Sequence, residues 1–222
     1  MPAESPLRDR DAPGYSLIET LRWEPQTGFL RLDRHLARLS ASATALGFRH
    51  DTDAAGVALL SAVKDASAPQ RMRLTLTADG SVEATAQPFH PLPYGTVWTL
   101  RLAREQLSSR DTLLRHKTSR RNVYQQARAE HAAADADEVL LANERGEICE
   151  GTITNLFVDA GEGGPLLTPV LACGLLPGIL RSELLDQGRA REAVLTLRDL
   201  TAARQLYVGN SLRGLIAARL IR

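Results

Sequence analysis

Cysteine is scarce: the 222 residues hold only Cys149 and Cys173. Neither belongs to a CxxC pair or a His/Cys cluster, which leaves no disulfide framework and no metal site to expect. Charge imbalance is absent too. Lys and Arg number 27 against 26 Asp and Glu, a net charge of +1. No overall field draws such a chain to nucleic acid or to an acidic membrane surface. No apolar run is long enough to span a bilayer. The opening residues, MPAESPLRDRDAPGY, are polar and contain no apolar signal core. They read as a loose leader on a cytoplasmic protein. Internal repeats and long low-complexity stretches are missing as well. What is left is a globular chain with enough residues for one large domain or two small ones around a sizeable core.

The pattern along the chain mixes strands and helices. SLIETLRW (16–23) reads as a strand, PQTG as a turn and FLRL as a second short strand. Residues 33–46 read as a helix with Asp33 as its cap, Leu36, Leu39 and Leu46 on one stripe and Gly47 at its end. A second helix is expected over about 53–66, then a hairpin of RMRLTLT and VEATAQ around ADGS. The proline-rich PFHPLPYG, near residues 88–96, marks a domain boundary. Beyond it a strand is expected at 97–103 and a helix at 120–134. DEVLLAN and EICEGTITNLFV read as strands joined by the ERG turn, and LLTP as another. Pro177 opens a helix, GILRSELLDQG, proline being favoured at such a start. EAVLTL, DLTAAR, QLYVGN and SLRGLIAARLI complete a mixed α/β, or α+β, chain of two domains, residues 1–92 and 93–222.

Four features could carry chemistry. LLRHKTSRRNVY (113–124) sets one lysine, Lys117, among three arginines and a histidine. Glu150 stands in an otherwise apolar or neutral strand, where a carboxylate is costly unless a cation or hydrogen-bond donors meet it. LLPGILR starts a helix whose free N–H groups at Ile179 and Leu180 suit a phosphate. GNSLRG is a glycine-flanked loop in which Ser211 and nearby amides could form an anion nest. Each alone is also what a wet surface, a strand edge or an ordinary turn looks like. Together they comprise an amine, a carboxylate and two phosphate cradles, the parts that a pyridoxal phosphate site requires.

The ordered series HKTSRRNVY, NERGEICEGTITNLFV, LLTPVLACGLLPGILR and YVGNSLRG resembles the fold-type IV (class IV) pyridoxal-phosphate enzymes. These are the branched-chain and D-amino acid aminotransferases and the aminodeoxychorismate lyases. The likeness runs from SLIETLRW to SLRGLIAARL and is greatest to the lyases. It implies a small N-terminal α/β domain and a larger, barrel-like C-terminal one that binds pyridoxal 5'-phosphate. By this likeness Lys117 holds the cofactor covalently and moves protons, and Glu150 faces the pyridine nitrogen. Arg38, Ile179, Leu180 and Ser211 hold the phosphate, Tyr124 is a further cofactor contact, and Arg73 binds substrate carboxylate. Arg22, Arg71 and Arg213, on or beside motif elements, join Arg73 as carboxylate candidates. Relatives usually begin with an additional strand and hairpin, so the small domain is expected to be trimmed.

The implied activity is conversion of 4-amino-4-deoxychorismate to 4-aminobenzoate and pyruvate, a step of folate biosynthesis, by a cytoplasmic homodimer. The alternatives are a class IV aminotransferase acting on branched-chain, D- or other carboxylate-bearing amines, and a cofactor-binding protein without catalysis. The partner expected in each case is a small molecule with an amine and a carboxylate, with no nucleic acid, membrane or metal. The remaining histidines, Trp23, Trp98 and the two cysteines are read as packing or surface residues.

Overall fold

The computed structural model describes residues 14–161 and 163–221. Most of the polar leader lies outside them. The first half is a four-stranded antiparallel sheet with two helices. Strands β1 (Leu17–Glu24), β2 (Gly28–Phe29), β3 (Gln70–Leu76) and β4 (Val82–Pro88) lie in the order β2-β1-β3-β4. Leu17, Leu21, Met72, Leu74 and Leu76 bury the sheet's inner face against Leu39 of α1 (Leu32–Leu46) and Leu59 of α2 (Thr52–Ala62). Asp51 caps α2 by accepting from the N–H of Asp53 at 2.9 Å, and Gly47 ends α1 in the left-handed conformation, φ 72°.

The start of α1 departs from expectation. Of the expected FLRL strand only Phe29 is in β2, and Asp33 lies within the first turn of α1 instead of capping it. The cap position belongs to Arg31, whose φ of 58° is left-handed, an uncommon conformation for a side-chain-bearing residue. That backbone carries the Arg31 guanidinium to Glu183 at 2.8 Å and to the Ser211 carbonyl at 3.2 Å, in the other half of the molecule. Long-range pairing overrides the local cap.

The second half comprises β5 (Val97–Leu107), α3 (Asn122–Ala129), β6 (Glu138–Asn143), β7 (Ile148–Gly151), β8 (Asn155–Asp159), β9 (Leu166–Pro169), α4 (Ile179–Asp186), β10 (Ala190–Ala193), α5 (Leu197–Ala202), β11 (Gln205–Asn210) and β12 (Gly214–Leu220). Their sheet order is β10-β9-β8-β11-β12-β5-β6-β7, and β7 pairs back onto β8. Six strands therefore close into a barrel, with β9 and β10 as an outer extension. Leu140 faces one core, with Leu156 and Val208, while Val139 and Leu141 face another with Cys149 and Cys173. Burial on both faces explains the uninterrupted apolar run of β6.

EICEGTITNLFV is two strands, not one: the chain turns at 152–154. The cause is Glu138, fully buried at the head of β6. Its carboxylate accepts from the N–H groups of Thr152 (3.0 Å) and Ile153 (3.1 Å) and from the hydroxyls of Thr152 (2.6 Å) and Thr154 (2.8 Å). A Cβ at Gly151 would come within 2.7 Å of that carboxylate, so only glycine lets the turn close on it. The helix expected over 120–134 is confined to α3. Likewise EAVLTL yields only part of β10 before the Thr196–Asp199 capping box starts α5. No helix among the described residues is long and apolar enough to cross a membrane.

Candidate active site

A cavity of about 500 Å³ lies where the two sheets meet. The Lys117 segment is its seam. Ile18 N–H donates to the Lys117 carbonyl at 2.8 Å, and Ser119 N–H donates to the Ser16 carbonyl at 2.8 Å. This one-residue ladder fastens the segment to β1. Lys117 lines the cavity. Burial, with the Arg38 and Arg121 guanidinium groups nearby, brings its amine down to about 8. An amine that releases its proton near pH 8 can serve as a nucleophile and a proton carrier far more readily than a solvated surface lysine.

Glu150, next to last in β7, lines the same cavity, 4% exposed. Tyr124, on α3, donates its hydroxyl to Oε1 at 2.7 Å. Leu176 N–H donates to Oε1 at 3.2 Å, and Asn155 Nδ2 to Oε2 at 3.4 Å. Burial still pushes the carboxyl up to about 7. Burial and the adjacent Glu150 raise the Tyr124 phenol well above its ordinary value, so it remains a donor. Arg121 stacks on the Tyr124 ring at 4.7 Å and bonds the Thr152 carbonyl. The arrangement holds an acid ready to ionise against an incoming cation.

An anion cradle faces these groups. Arg38, on α1, donates to Glu19 through Nε (2.8 Å) and Nη2 (2.6 Å), and to the Pro177 carbonyl through Nη1 (3.1 Å). Three of its five N–H groups are thus placed, and two are left for a ligand. Burial alone would raise the Glu19 carboxyl, but Arg38 and His35 outweigh it and hold it at about 2. Ile179 starts α4 at the cavity wall, and no side chain caps that helix. Its first N–H groups therefore lack protein acceptors of the usual kind. Ser211 completes the wall. Leu180 differs from the other three: it does not line the cavity, and its side chain packs inward with Phe157 and Leu184. The space beside Gly178 is filled by Asn155, whose Oδ1 a Cβ would meet at 1.8 Å. Close backbone approach at this glycine therefore serves packing.

The arginines divide sharply. Arg213 lines the cavity, with its guanidinium 6.0 Å from the centre of the Trp98 ring. Burial and the like charge of Arg71, which also lines the cavity, push its pKa down. Among the described residues neither has an ion-pair partner. Arg73 and Arg22 do not line the cavity, contrary to expectation. Arg73 shares the exposed face of β3 with Arg71 but stands two residues, roughly 7 Å, farther along the strand. Arg22 is engaged by Glu24 and stacks on Phe89 at 4.7 Å.

Residues 16–221 match the family described as amino-transferase class IV. The chain belongs to that family. It is 32% identical, over 89% of its length, to 86% of a Schizosaccharomyces pombe protein named "Putative aminodeoxychorismate lyase". A solved Mesorhizobium loti structure named "Putative amino-acid aminotransferase" superposes with TM-score 0.91 at 58% identity, covering 93% of this chain and all of that one. The 4-amino-4-deoxychorismate lyase of Pseudomonas aeruginosa superposes with TM-score 0.81 at 25% identity, over 99% of this chain and 88% of that one. The class IV chain is accordingly a member of an enzyme family with the mixed α+β fold described above.

Sequence reasoning missed Glu19, His35, Glu138 and Asn155 as parts of this class IV site. Glu19 carried a signal: it lies between Leu17 and Leu21 on the core-facing side of β1, where an unpaired carboxylate is costly. Glu138 carried a weaker one, as the acid that opens an apolar strand. His35 gave none, because its partner Ser211 is distant in sequence, and Asn155 gave none, because its approach to Glu150 depends on the turn at 152–154.

Proposed function

We propose that the chain is a pyridoxal-phosphate-dependent lyase that converts 4-amino-4-deoxychorismate to 4-aminobenzoate and pyruvate. The observation that carries the reading is one cavity lined by a depressed lysine, a buried carboxylate, an anion cradle and two unpaired arginines. The donor set fits the cofactor. Arg38, the amides at Ile179 and Leu180, and Ser211 would hold its phosphate, Lys117 its aldehyde carbon and Glu150 its ring nitrogen. When bound, the group supplies an electron sink for the substrate's amine-bearing carbon. Lys117, whose amine is brought down to about 8, takes the proton from that carbon. Glu150, kept in place by Tyr124 and Leu176, supports positive charge on the ring side. The bond from the ring carbon to the enolpyruvyl oxygen then breaks, pyruvate leaves with a proton, and the carbocycle becomes aromatic.

The choice of lyase rests on Arg71 and Arg213. Two like charges lining one cavity, neither in an ion pair among the described residues, suit a substrate with two carboxylates, and arginine is the better carboxylate fork. A monocarboxylate amino acid would leave one cation unmatched. The name of the S. pombe relative supports the same direction. The reading divides the chain at residue 92, in the segment between β4 and β5, and takes it to act as a cytoplasmic homodimer, which sedimentation tests. The deciding experiment supplies 4-amino-4-deoxychorismate without a keto-acid acceptor and follows pyruvate. Stoichiometric pyruvate and 4-aminobenzoate are expected. No pyruvate, with branched-chain or D-amino acids turning the cofactor into its amine form, makes the enzyme an aminotransferase. Tight cofactor binding with neither reaction makes it a binding protein.

A further inference from the structure

Ser211 reaches the cavity with a hydroxyl that is already in use. His35, 1% exposed, stands behind it: Nε2 lies 2.8 Å from Ser211 Oγ, and Nδ1 lies 2.7 Å from Glu19 Oε2. Glu19 is ionised, so it accepts, and Nδ1 carries a proton whatever the charge of the ring. Only Nε2 can change. In neutral imidazole Nε2 is an acceptor, and Ser211 must give its one proton to it. The hydroxyl then shows only lone pairs to the cavity, which repel an anion. In imidazolium Nε2 donates to Oγ, and the Ser211 proton is free to bond an anion.

We infer that Glu19, His35 and Ser211 form a proton-coupled anion hook, in which a tetrahedral dianion seated in the cradle draws one proton onto His35. The inference rests on the cradle being the phosphate site of the proposed cofactor. It goes beyond that reading by making His35 the positioning residue that sets the polarity of the Ser211 hydroxyl. The charged groups around His35 support the empty-site state. Burial, Arg38 on the same helix and Lys117 across the cavity lower its pKa, and Glu19 on β1 opposes them without prevailing. Arg31 also bonds the Ser211 carbonyl, but its charge is matched by Glu183 of α4. The free site therefore holds neutral His35 at pH 7.5, and an entering dianion reverses the balance. By linkage, anion affinity falls as pH rises above the pKa of the free site, by up to tenfold per unit, until the pKa of the bound site is passed.

Sulfate is the clean probe, because it keeps a fixed charge across this range. Sulfate binding to the cofactor-free protein is measured by titration calorimetry at pH 7.5 in buffers of different ionisation enthalpy, which counts protons taken up. Lys117 and Glu150 also titrate nearby, so the readout is the difference between wild type and His35→Gln, whose amide can donate to Oγ without titrating. Wild type is expected to take up at least half a proton more than His35→Gln does. Ser211→Ala, which keeps the imidazole but removes the hydroxyl, is expected to lose the same increment and serves if His35→Gln does not fold. Equal uptake by wild type and both substituted proteins overturns the hook while leaving the cradle intact. No sulfate heat in any of the proteins, together with no pyridoxal phosphate absorbance, overturns the cradle and the hook with it.

Discussion

Glu150→Gln separates function from stability in one side chain. Raising a buried carboxyl from its ordinary 4.5 to about 7 costs about 3 kcal/mol of folding free energy above pH 7. The sign follows from proton counting. Between pH 4.5 and 7 the unfolded chain has released this proton and the folded chain has kept it, so stability falls as pH rises through that window. Glutamine has no charge to desolvate. It retains an acceptor for Tyr124 and Leu176, but its amide nitrogen then faces the Asn155 amide that had donated at 3.4 Å, a loss of about 1 kcal/mol. The cofactor-free Glu150→Gln protein should therefore exceed wild type in stability by about 2 kcal/mol at pH 8, with the advantage vanishing below pH 4.5. The loaded enzyme should show the opposite benefit. A carboxylate about 4 Å from a ring cation in a partly screened interior supplies about 4 kcal/mol. Its removal should slow turnover about a thousandfold. Urea midpoints of the cofactor-free proteins across pH, beside pyruvate release by the loaded ones, measure both. A Glu150→Gln protein less stable than wild type at pH 8 refutes the burial account, and near-normal turnover with cofactor bound refutes the role at the ring.

Lys117→Ala should keep pyridoxal phosphate through the cradle yet lose turnover, and borohydride should no longer fix the cofactor to that peptide. In the wild type, capture of the aldehyde should slow about tenfold per pH unit below pH 8, the value to which Lys117 is depressed, as read by absorbance; a flat profile from pH 6 to 8 contradicts it. Arg71→Ala and Arg213→Ala should each raise KM about tenfold or more with little change in kcat, whereas Arg73→Ala, outside the cavity, should leave KM within twofold. Glu138→Gln should destabilise the protein by about 3 kcal/mol, because the loop 152–154 offers donors to both carboxylate oxygens and an amide nitrogen cannot accept from them; calorimetric melting measures the loss.

The sequence by itself determined the elements with a strong local period and the residues whose chemistry is out of place locally. The SLIETLRW and RMRLTLT strands, the stripe of α1 and the proline-rich break all follow from side-chain alternation and backbone restriction. Lys117 and Glu150 stood out as candidates only in company, because an amine, a carboxylate and two anion cradles in that order resemble one family's site, while each alone reads equally as surface or strand edge. Only the tertiary structure decided where the arginines go. Arg71 and Arg73 are indistinguishable in a period of two, and a strand's position relative to a cavity is not a local property. It also decided that EGTITN turns, because the cause is a carboxylate on a neighbouring strand. The Glu19–His35–Ser211 line runs nearly the length of the chain and is joined only when β1, α1 and the loop after β11 converge. Hydrogen bonds of that range leave no periodicity behind, since each partner is chosen by the fold that brings it within about 3 Å.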